Sequence, residues 1–173
     1  MELEILRNIQ SIANPFLDIL FQLITICGEQ MVLVLIISII YWVKDKKFGE
    51  YIAYAVLTSV LVNCVVKDIF KFKRPIGEEG IRTLREKTAT GYSFPSGHTQ
   101  GAGSFYGAMV IYIKKKVMCI IAIIMIILIG FSRLYLGVHY PKDVIVGGIL
   151  GVLISYICYI IYNNYDNKIM VYT

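Results

Sequence analysis

The chain contains two histidines, and each stands near residues suited to nucleophilic and acid–base chemistry. His98 ends a PSGH run that begins at Pro95, and His139 is followed four residues later by Asp143. If the turn between them brings these two residues together, the carboxylate accepts the proton on one imidazole nitrogen and leaves the other as a nucleophile. We then expect His98 to protonate the leaving oxygen as a general acid.

Fixed positive charge accompanies both histidines. Lys67, Arg74 and Arg133 are cations, and the planar fork of arginine suits phosphate oxygens. Ser96 and Gly97 are predicted to open a helix, whose free N–H groups also favour an anion. No cluster of Asp and Glu of the kind that holds Mg²⁺ is evident, so we expect phosphoryl transfer without a metal or other cofactor.

The composition places this chemistry in a membrane. Of 173 residues, 57% are hydrophobic and 17% are charged, against about 25% charged in an average soluble domain. That balance excludes a disordered protein, a coiled coil and a nucleic-acid-binding tail. We expect residues 1–173 to form one domain whose surroundings are a lipid bilayer.

The apolar segments predict an all-α integral membrane bundle of six transmembrane helices. They cover residues 15–27, 31–43, 48–66, 96–113, 117–131 and 144–162. Several are shorter than the ~20 residues that a lone spanning helix requires, and whether 15–27 spans fully is left open. Residues 1–14 are predicted to form a short amphipathic helix at the interface, 67–95 an outer catalytic loop, and 163–173 a polar tail.

The lysine-rich turns predict an orientation. With both termini inside, the turns at 44–47 and 114–116 and the tail face the cytoplasm, as the positive-inside rule prefers. The 67–95 loop then carries the site on the outer side of the cell membrane. This loop is also basic, against the rule, and we interpret its cations as binding something anionic.

Glycines spaced four residues apart predict close helix packing. The pairs are Gly97 and Gly101, Gly103 and Gly107, and Gly147 and Gly151. Small residues at this spacing let two helices approach closely. We favour packing inside one bundle over dimerisation, and the oligomeric state stays open.

Three motifs carry a resemblance to a known family. They are Lys67 followed after six residues by Arg74-Pro75; PSGH at 95–98; and Ser132-Arg133, five residues, His139, three residues, Asp143. In this order and spacing the chain resembles the type 2 phosphatidic acid phosphatase (lipid phosphate phosphatase) superfamily. The resemblance covers roughly residues 60 to 150.

The resemblance implies a six-helix membrane fold and a role for each motif residue. His139 would be the phosphorylated nucleophile, His98 the general acid and Asp143 the residue that orients His139. The substrate phosphate would be bound by Lys67, Arg74, Ser96, Gly97, His98 and Arg133.

The expected function is a metal-independent lipid phosphatase that removes a terminal phosphate from a membrane lipid. Undecaprenyl pyrophosphate, converted to undecaprenyl phosphate, ranks first; phosphatidylglycerol phosphate and phosphatidic acid remain alternatives, with broad specificity. A catalytically silent lipid-binding membrane protein is the non-enzyme alternative. Arg82 and Arg85, on the same predicted side, are candidates for binding the second phosphate of a pyrophosphate.

Overall fold

The computed structural model describes the backbone of residues 1–169 and the side chains of residues 1–86 and 88–164. In this range the chain forms α-helices and no strands, which confirms the all-α prediction. The helices are α1 (Glu2–Gln10), α2 (Pro15–Ile26), α3 (Gln30–Ile39), α4 (Lys46–Phe70), α5 (Gly97–Ile113), α6 (Lys116–Tyr135) and α7 (Pro141–Ile169). A π-helical turn, Ile40–Lys44, extends α3. Residues 170–173 of the predicted tail lie outside the described residues.

The two lysine-rich turns lie together at one end of the bundle, here called the lysine end (residues 44–47 and 114–116). The Tyr112 hydroxyl donates to Oδ2 of Asp45 at 2.9 Å, and the Tyr112 ring stacks on Phe48 with centroids 4.3 Å apart. Near the end of α7, the Tyr162 hydroxyl donates to Glu50 at 3.1 Å. The two turns therefore share a side, as predicted.

The N-terminal helix lies at the opposite end, which we call the site end (the loop 71–95 and the turn 136–140). Arg7 Nη2 donates to the carbonyl of Glu79 at 2.7 Å. Gln10 Nε2 donates to the carbonyls of Arg82 at 2.7 Å and Tyr135 at 2.9 Å. Contrary to the expectation that both termini share one side, α1 is hydrogen-bonded to the loop 71–95, whereas the described part of α7 runs to the lysine end.

Helix α2 runs along the site end. Its 12 residues extend about 18 Å, well short of a bilayer core. Asp18 near its start accepts from Arg82 and from the Tyr135 hydroxyl, and Thr25 near its end accepts from Arg133. Both ends of α2 thus contact the same end of the bundle, because the carboxylate of Asp18 pairs there with a loop arginine.

Within the described part of the chain, three helices are long and apolar enough to cross a membrane: Lys46–Phe70, Lys116–Tyr135 and Pro141–Asn164. A fourth is counted only if α1 and α2, which are bent by 119°, are taken as one span. Six transmembrane helices are therefore not confirmed. Residues 30–44 and α5 are shorter helices that also run between the two ends of the bundle.

The most extensive helix contact is between α5 and α7, and glycines form it. A Cβ added to Gly103 would lie 2.7 Å from the carbonyl oxygen of Gly148. A Cβ on Gly151 would overlap the carbonyl oxygen of Gln100 and lie 2.7 Å from the backbone nitrogen of Ser104. The predicted small-residue packing is confirmed as an intramolecular contact, and it presses the start of α7 against the start of α5.

We predict that Gly151→Ala lowers thermal stability in detergent, because its methyl group would meet backbone atoms that no side-chain rotation can relieve. The expected cost is about 1–3 kcal/mol. Gly148→Ala is the matched control on the same helix, where the nearest atom is a flexible side-chain carbon of Ile126 at 3.5 Å. Equal melting temperatures for the two variants would contradict the proposed packing.

Candidate active site

A cavity of about 260 Å³ opens at the site end, where the ends of several helices meet. The predicted site residues that line it are Lys67, Arg74, Gly97, His98, Arg133 and His139. The other two, Ser96 and Asp143, are fully buried. Seven further residues complete the lining: Gly28, Glu29, Gln30, Met31, Asn63, Thr88 and Thr90.

Helix termini position most of these side chains. Lys67 lies in the last turn of α4, His98 in the first turn of α5, and Arg133 in the last turn of α6. Asp143 lies in the first turn of α7, and His139 precedes that helix by two residues. Residues far apart in the sequence therefore converge because the helix ends converge.

The hydrogen bonds of His139 select its tautomer. Arg74 Nη1 lies 2.9 Å from Nε2 of His139. A guanidinium only donates, so Nε2 must accept and the imidazole proton resides on Nδ1. Nδ1 lies 3.4 Å from Oδ2 of Asp143, on the side away from Arg74. The lone pair of Nε2 is thereby directed toward the guanidinium of Arg74.

Asp143 is itself held in place. Its Oδ2 accepts the backbone N–H of Tyr140 at 2.9 Å and the hydroxyl of Ser93 in a short hydrogen bond. The Ser93 oxygen also lies 3.4 Å from Nδ1 of His139. Ser93 was not predicted from the sequence, because it lies outside the motifs and only the fold places it beside His139 and Asp143.

Arg74 is oriented by loop carbonyls. Its Nε donates to Gly91 at 3.0 Å, its Nη2 to Thr90 at 2.8 Å and its Nη1 to Val138 at 2.9 Å. These carbonyls come from the loop 71–95 and from the turn before His139. The guanidinium is thus held in a set orientation before any substrate arrives.

Arg133 is fully buried, yet only part of its guanidinium is hydrogen-bonded. Its Nη1 donates to the hydroxyl of Thr25 at 2.9 Å, whereas Nε and Nη2 have no partner among the described residues. Nε2 of His98 is likewise buried without a partner there. Buried polar atoms without hydrogen-bond partners cost free energy. Because Arg133 and His98 both line the cavity, an anion bound there could accept hydrogen bonds from them.

A buried polar network fixes α4 against the start of α5. Asn63 Nδ2 donates to Oε1 of Gln100 at 2.8 Å and to the carbonyl of Pro95 at 3.3 Å. Gln100 Nε2 in turn donates to the carbonyl of Ser59 at 2.8 Å. These residues were not predicted from the sequence, although polar side chains inside apolar segments indicate functional or structural hydrogen bonds.

The electrostatics keep His139 neutral. Burial, followed by the positive charges of Arg74, Arg133 and Lys67, lowers the pKa of His139 well below its ordinary value of 6.5. A neutral imidazole is the form that can attack phosphorus.

The cavity offers few carboxylates to a metal ion. Glu29 is the one carboxylate among the described lining residues. No group of three or more His, Cys, Asp or Glu suited to a metal occurs in the described part of the chain.

Ser96 has a structural position in this arrangement. Its hydroxyl lies 2.9 Å from Oγ1 of Thr99 at the N-terminus of α5, and its backbone N–H donates to the carbonyl of Asp143 at 2.9 Å. Ser96 therefore joins the first turn of α5 to the first turn of α7. Its predicted contact with phosphate stays a prediction.

The structure separates the two arginines that were candidates for a second phosphate. Arg82 makes a bidentate pair with Asp18, at 2.8 and 2.6 Å, outside the cavity lining. Arg85 Nη2 lies 2.5 Å from Oε1 of Glu29, which does line the cavity. Only Arg85 adjoins the site.

The chain is similar to curated proteins named as phosphatases and to a solved structure. The chain is 33% identical over 115 residues to an undecaprenyl-diphosphatase of Sulfolobus acidocaldarius, covering 66% of this chain and 55% of that protein. It is 29% identical to phosphatidylglycerophosphatase B of Bacillus subtilis, covering 91% of this chain and 79% of the relative. The crystal structure of Aquifex aeolicus LpxE superposes with a TM-score of 0.80 at 27% identity, covering 91% of this chain and 93% of that one.

A family model matches well over half of the chain. A family model described as the PAP2 superfamily matches residues 49–166, which include every predicted site residue. The structural likeness extends beyond this range to most of the described chain. The protein therefore belongs to the PAP2 superfamily.

Proposed function

We propose that the protein is a lipid phosphatase that releases a terminal phosphate through a phosphohistidine at His139. One observation carries the proposal: the imidazole of His139 is held between Arg74 at Nε2 and Asp143 at Nδ1, beside a cavity that Lys67 and Arg133 also line. A nucleophile, its orienting carboxylate and three cations are thus concentrated in one small volume.

In the first step, Nε2 of His139 attacks the terminal phosphorus. The P–N bond forms, the P–O bond to the leaving group breaks, and His98 donates a proton to the leaving oxygen. The cations of the cavity stabilise the charge on the transferring oxygens, and Asp143 stabilises the developing imidazolium through Nδ1. Because Arg74 already contacts Nε2, it is placed to shift its hydrogen bond to the incoming phosphate.

In the second step, water replaces the leaving group. His98, now neutral, accepts a proton from the water as its oxygen attacks phosphorus, and the P–N bond breaks. Phosphate is released and His139 returns to its neutral form. The same side chain serves as acid and then as base, so the cycle closes without any further residue.

A lipid substrate fits the position of the cavity. It lies at the end of an apolar bundle, and its lining includes Met31, whose surface is 81% exposed. A hydrocarbon chain can lie beside the helices while the phosphate enters the cavity.

The name of the Sulfolobus relative supports undecaprenyl pyrophosphate as the substrate, and that of the Bacillus relative supports phosphatidylglycerol phosphate. We rank undecaprenyl pyrophosphate ahead. The alternative is a phosphatase of broad specificity that acts on phosphatidylglycerol phosphate or phosphatidic acid.

For the membrane, we propose that the site end faces the extracytoplasmic side of the cell membrane. The lysine end carries the turns 44–47 and 114–116, and the positive-inside rule favours their cytoplasmic placement. Residues 30–44, α4, α5, α6 and α7 would then make five crossings, with α1 and α2 lying on the outer surface.

We predict that His139→Ala lowers phosphate release from lipid phosphates by at least about 10³-fold, because the attacking nitrogen is lost. Purified protein would be assayed in detergent with EDTA present. Arg82→Ala, a change outside the cavity, is the control that should retain activity. Residual activity near wild type in the histidine variant would contradict the mechanism.

We further predict that His139 stays neutral well below pH 6.5, because burial and three cations oppose its protonation. The chain has only two histidines, so ¹⁵N-histidine NMR resolves both rings. Arg74→Gln removes one of the opposing charges and should raise the pH at which His139 protonates. A wild-type His139 titrating near 6.5, or no shift in the variant, would contradict this electrostatic description.

The topology predicts opposite accessibility of two exposed positions. The starting point is a variant in which the four cysteines are replaced. In this background, Ser11→Cys should react with a membrane-impermeant maleimide added to intact cells whose cell wall has been removed. Lys115→Cys at the lysine end should react only after the cells are opened. Labelling of both positions, or the reverse pattern, would contradict the proposed orientation.

A further inference from the structure

Arg85 lies at the edge of the catalytic cavity without belonging to any of the three motifs. Its guanidinium pairs with Glu29, one of the lining residues, and 22% of its side chain is exposed. Thr88, three residues further on, also lines the cavity and donates to the carbonyl of Arg85 through its hydroxyl at 3.0 Å. Arg85 is therefore at the rim, above the residues that would hold the terminal phosphate.

The backbone around Arg85 is fixed. The N–H of Leu84 donates to the carbonyl of Leu136 at 3.0 Å, which ties the loop to the turn before His139. Arg85 itself has a φ of +58°, a left-handed conformation that the flanking hydrogen bonds maintain. The backbone hydrogen bonds thus fix the position of the Arg85 Cα beside the cavity.

The hydrogen bonding of Arg85 is incomplete. Nη2 contacts Glu29 at 2.5 Å, but the buried Nε has no partner among the described residues. The charge of Arg85 also acts on His98 and Arg133, where it adds to the positive potential of the cavity. A guanidinium presents a fork of donors, so this one can bind a further anionic group at the cavity rim.

Glu29 is an unusual neighbour for a site that binds anions. It stands at the junction of α2 and α3, where its carboxylate would repel a phosphate. Its pairing with Arg85 offsets that charge when no second phosphate is present. A diphosphate substrate would compete with Glu29 for the same guanidinium.

We propose that Arg85 is a specificity-determining residue that selects diphosphate over monophosphate lipids, with Glu29 as its resting partner. This inference rests on the proposed phosphatase function. The terminal phosphate occupies the deep site at His139, and the phosphate next to the lipid chain lies at the rim. There Arg85 exchanges the carboxylate of Glu29 for that inner phosphate. A monophosphate has no group at the rim, and it leaves the Arg85–Glu29 pair intact.

The test compares two substrates with one lipid chain, farnesyl diphosphate and farnesyl monophosphate. Arg85→Ala should lower kcat/KM for the diphosphate about 10-fold or more beyond any change for the monophosphate, as expected for a lost charge-assisted hydrogen bond. Glu29→Gln removes the competitor and should lower KM for the diphosphate. A merely structural ion pair would give losses on both substrates in both variants.

Arg82→Ala is the matched control, because Arg82 belongs to the same loop but pairs with Asp18 outside the cavity. It should change both substrates equally. Equal loss on both substrates in Arg85→Ala, or a wild type that hydrolyses only the monophosphate, would overturn the inference while leaving the phosphatase proposal standing.

If wild type hydrolyses neither substrate, the proposed function fails, and a binding measurement tests Arg85 separately. Inorganic pyrophosphate should raise the melting temperature of the wild-type protein more than inorganic phosphate does. Arg85→Ala should abolish that difference, and Arg85→Lys, which keeps the charge, should restore part of it. No difference in the wild-type protein would overturn the role of Arg85.

Discussion

The burial of positive charge at one end of an apolar bundle is the constraint on which the rest of this structure depends. Arg133 is fully buried and two of its nitrogens lack partners among the described residues. Arg74 and Lys67 line the same cavity, and the nearby Asp143 is engaged by Ser93 and a backbone N–H. Buried cations are costly unless anions compensate them, so the arrangement is suited to a phosphate group. The same charges keep His139 neutral and therefore nucleophilic.

Helix packing holds these groups together. Close contact between α5 and α7 depends on glycines such as Gly103 and Gly151, which leave room for the neighbouring backbone. The contact continues to the helix starts, where the N–H of Ser96 donates to the carbonyl of Asp143. His98, in the first turn of α5, and His139, just before α7, are consequently held near each other. A displacement of α7 along α5 would separate His98 from His139.

Sequence reasoning reached the motif residues because their spacing encodes local geometry. Asp143 follows His139 by four residues across the turn that begins α7, and such a relation can be predicted without a structure. The roles of Ser93 and Thr25 could not be predicted, since each meets its partner only after distant segments assemble. The path of α2 was also missed: its apolar character suggested a span, whereas the pairing of Asp18 with a loop arginine keeps it at the site end.

The central claim is that His139 attacks phosphorus through Nε2 while His98 acts as acid and then as base. The most direct measurement is trapping of the covalent intermediate in the His98→Ala variant with a lipid diphosphate ³²P-labelled at its terminal phosphate, followed by rapid quenching and peptide mapping. The lipid phosphate expelled from a diphosphate is a good leaving group that depends little on an acid, whereas the attack of water still requires the base, so the variant should accumulate the intermediate. The mechanism predicts acid-labile, base-stable label on His139 at near one phosphate per chain. Steady turnover with no label on His139, or inversion of configuration at a chiral phosphorus, would contradict it and indicate direct attack by water.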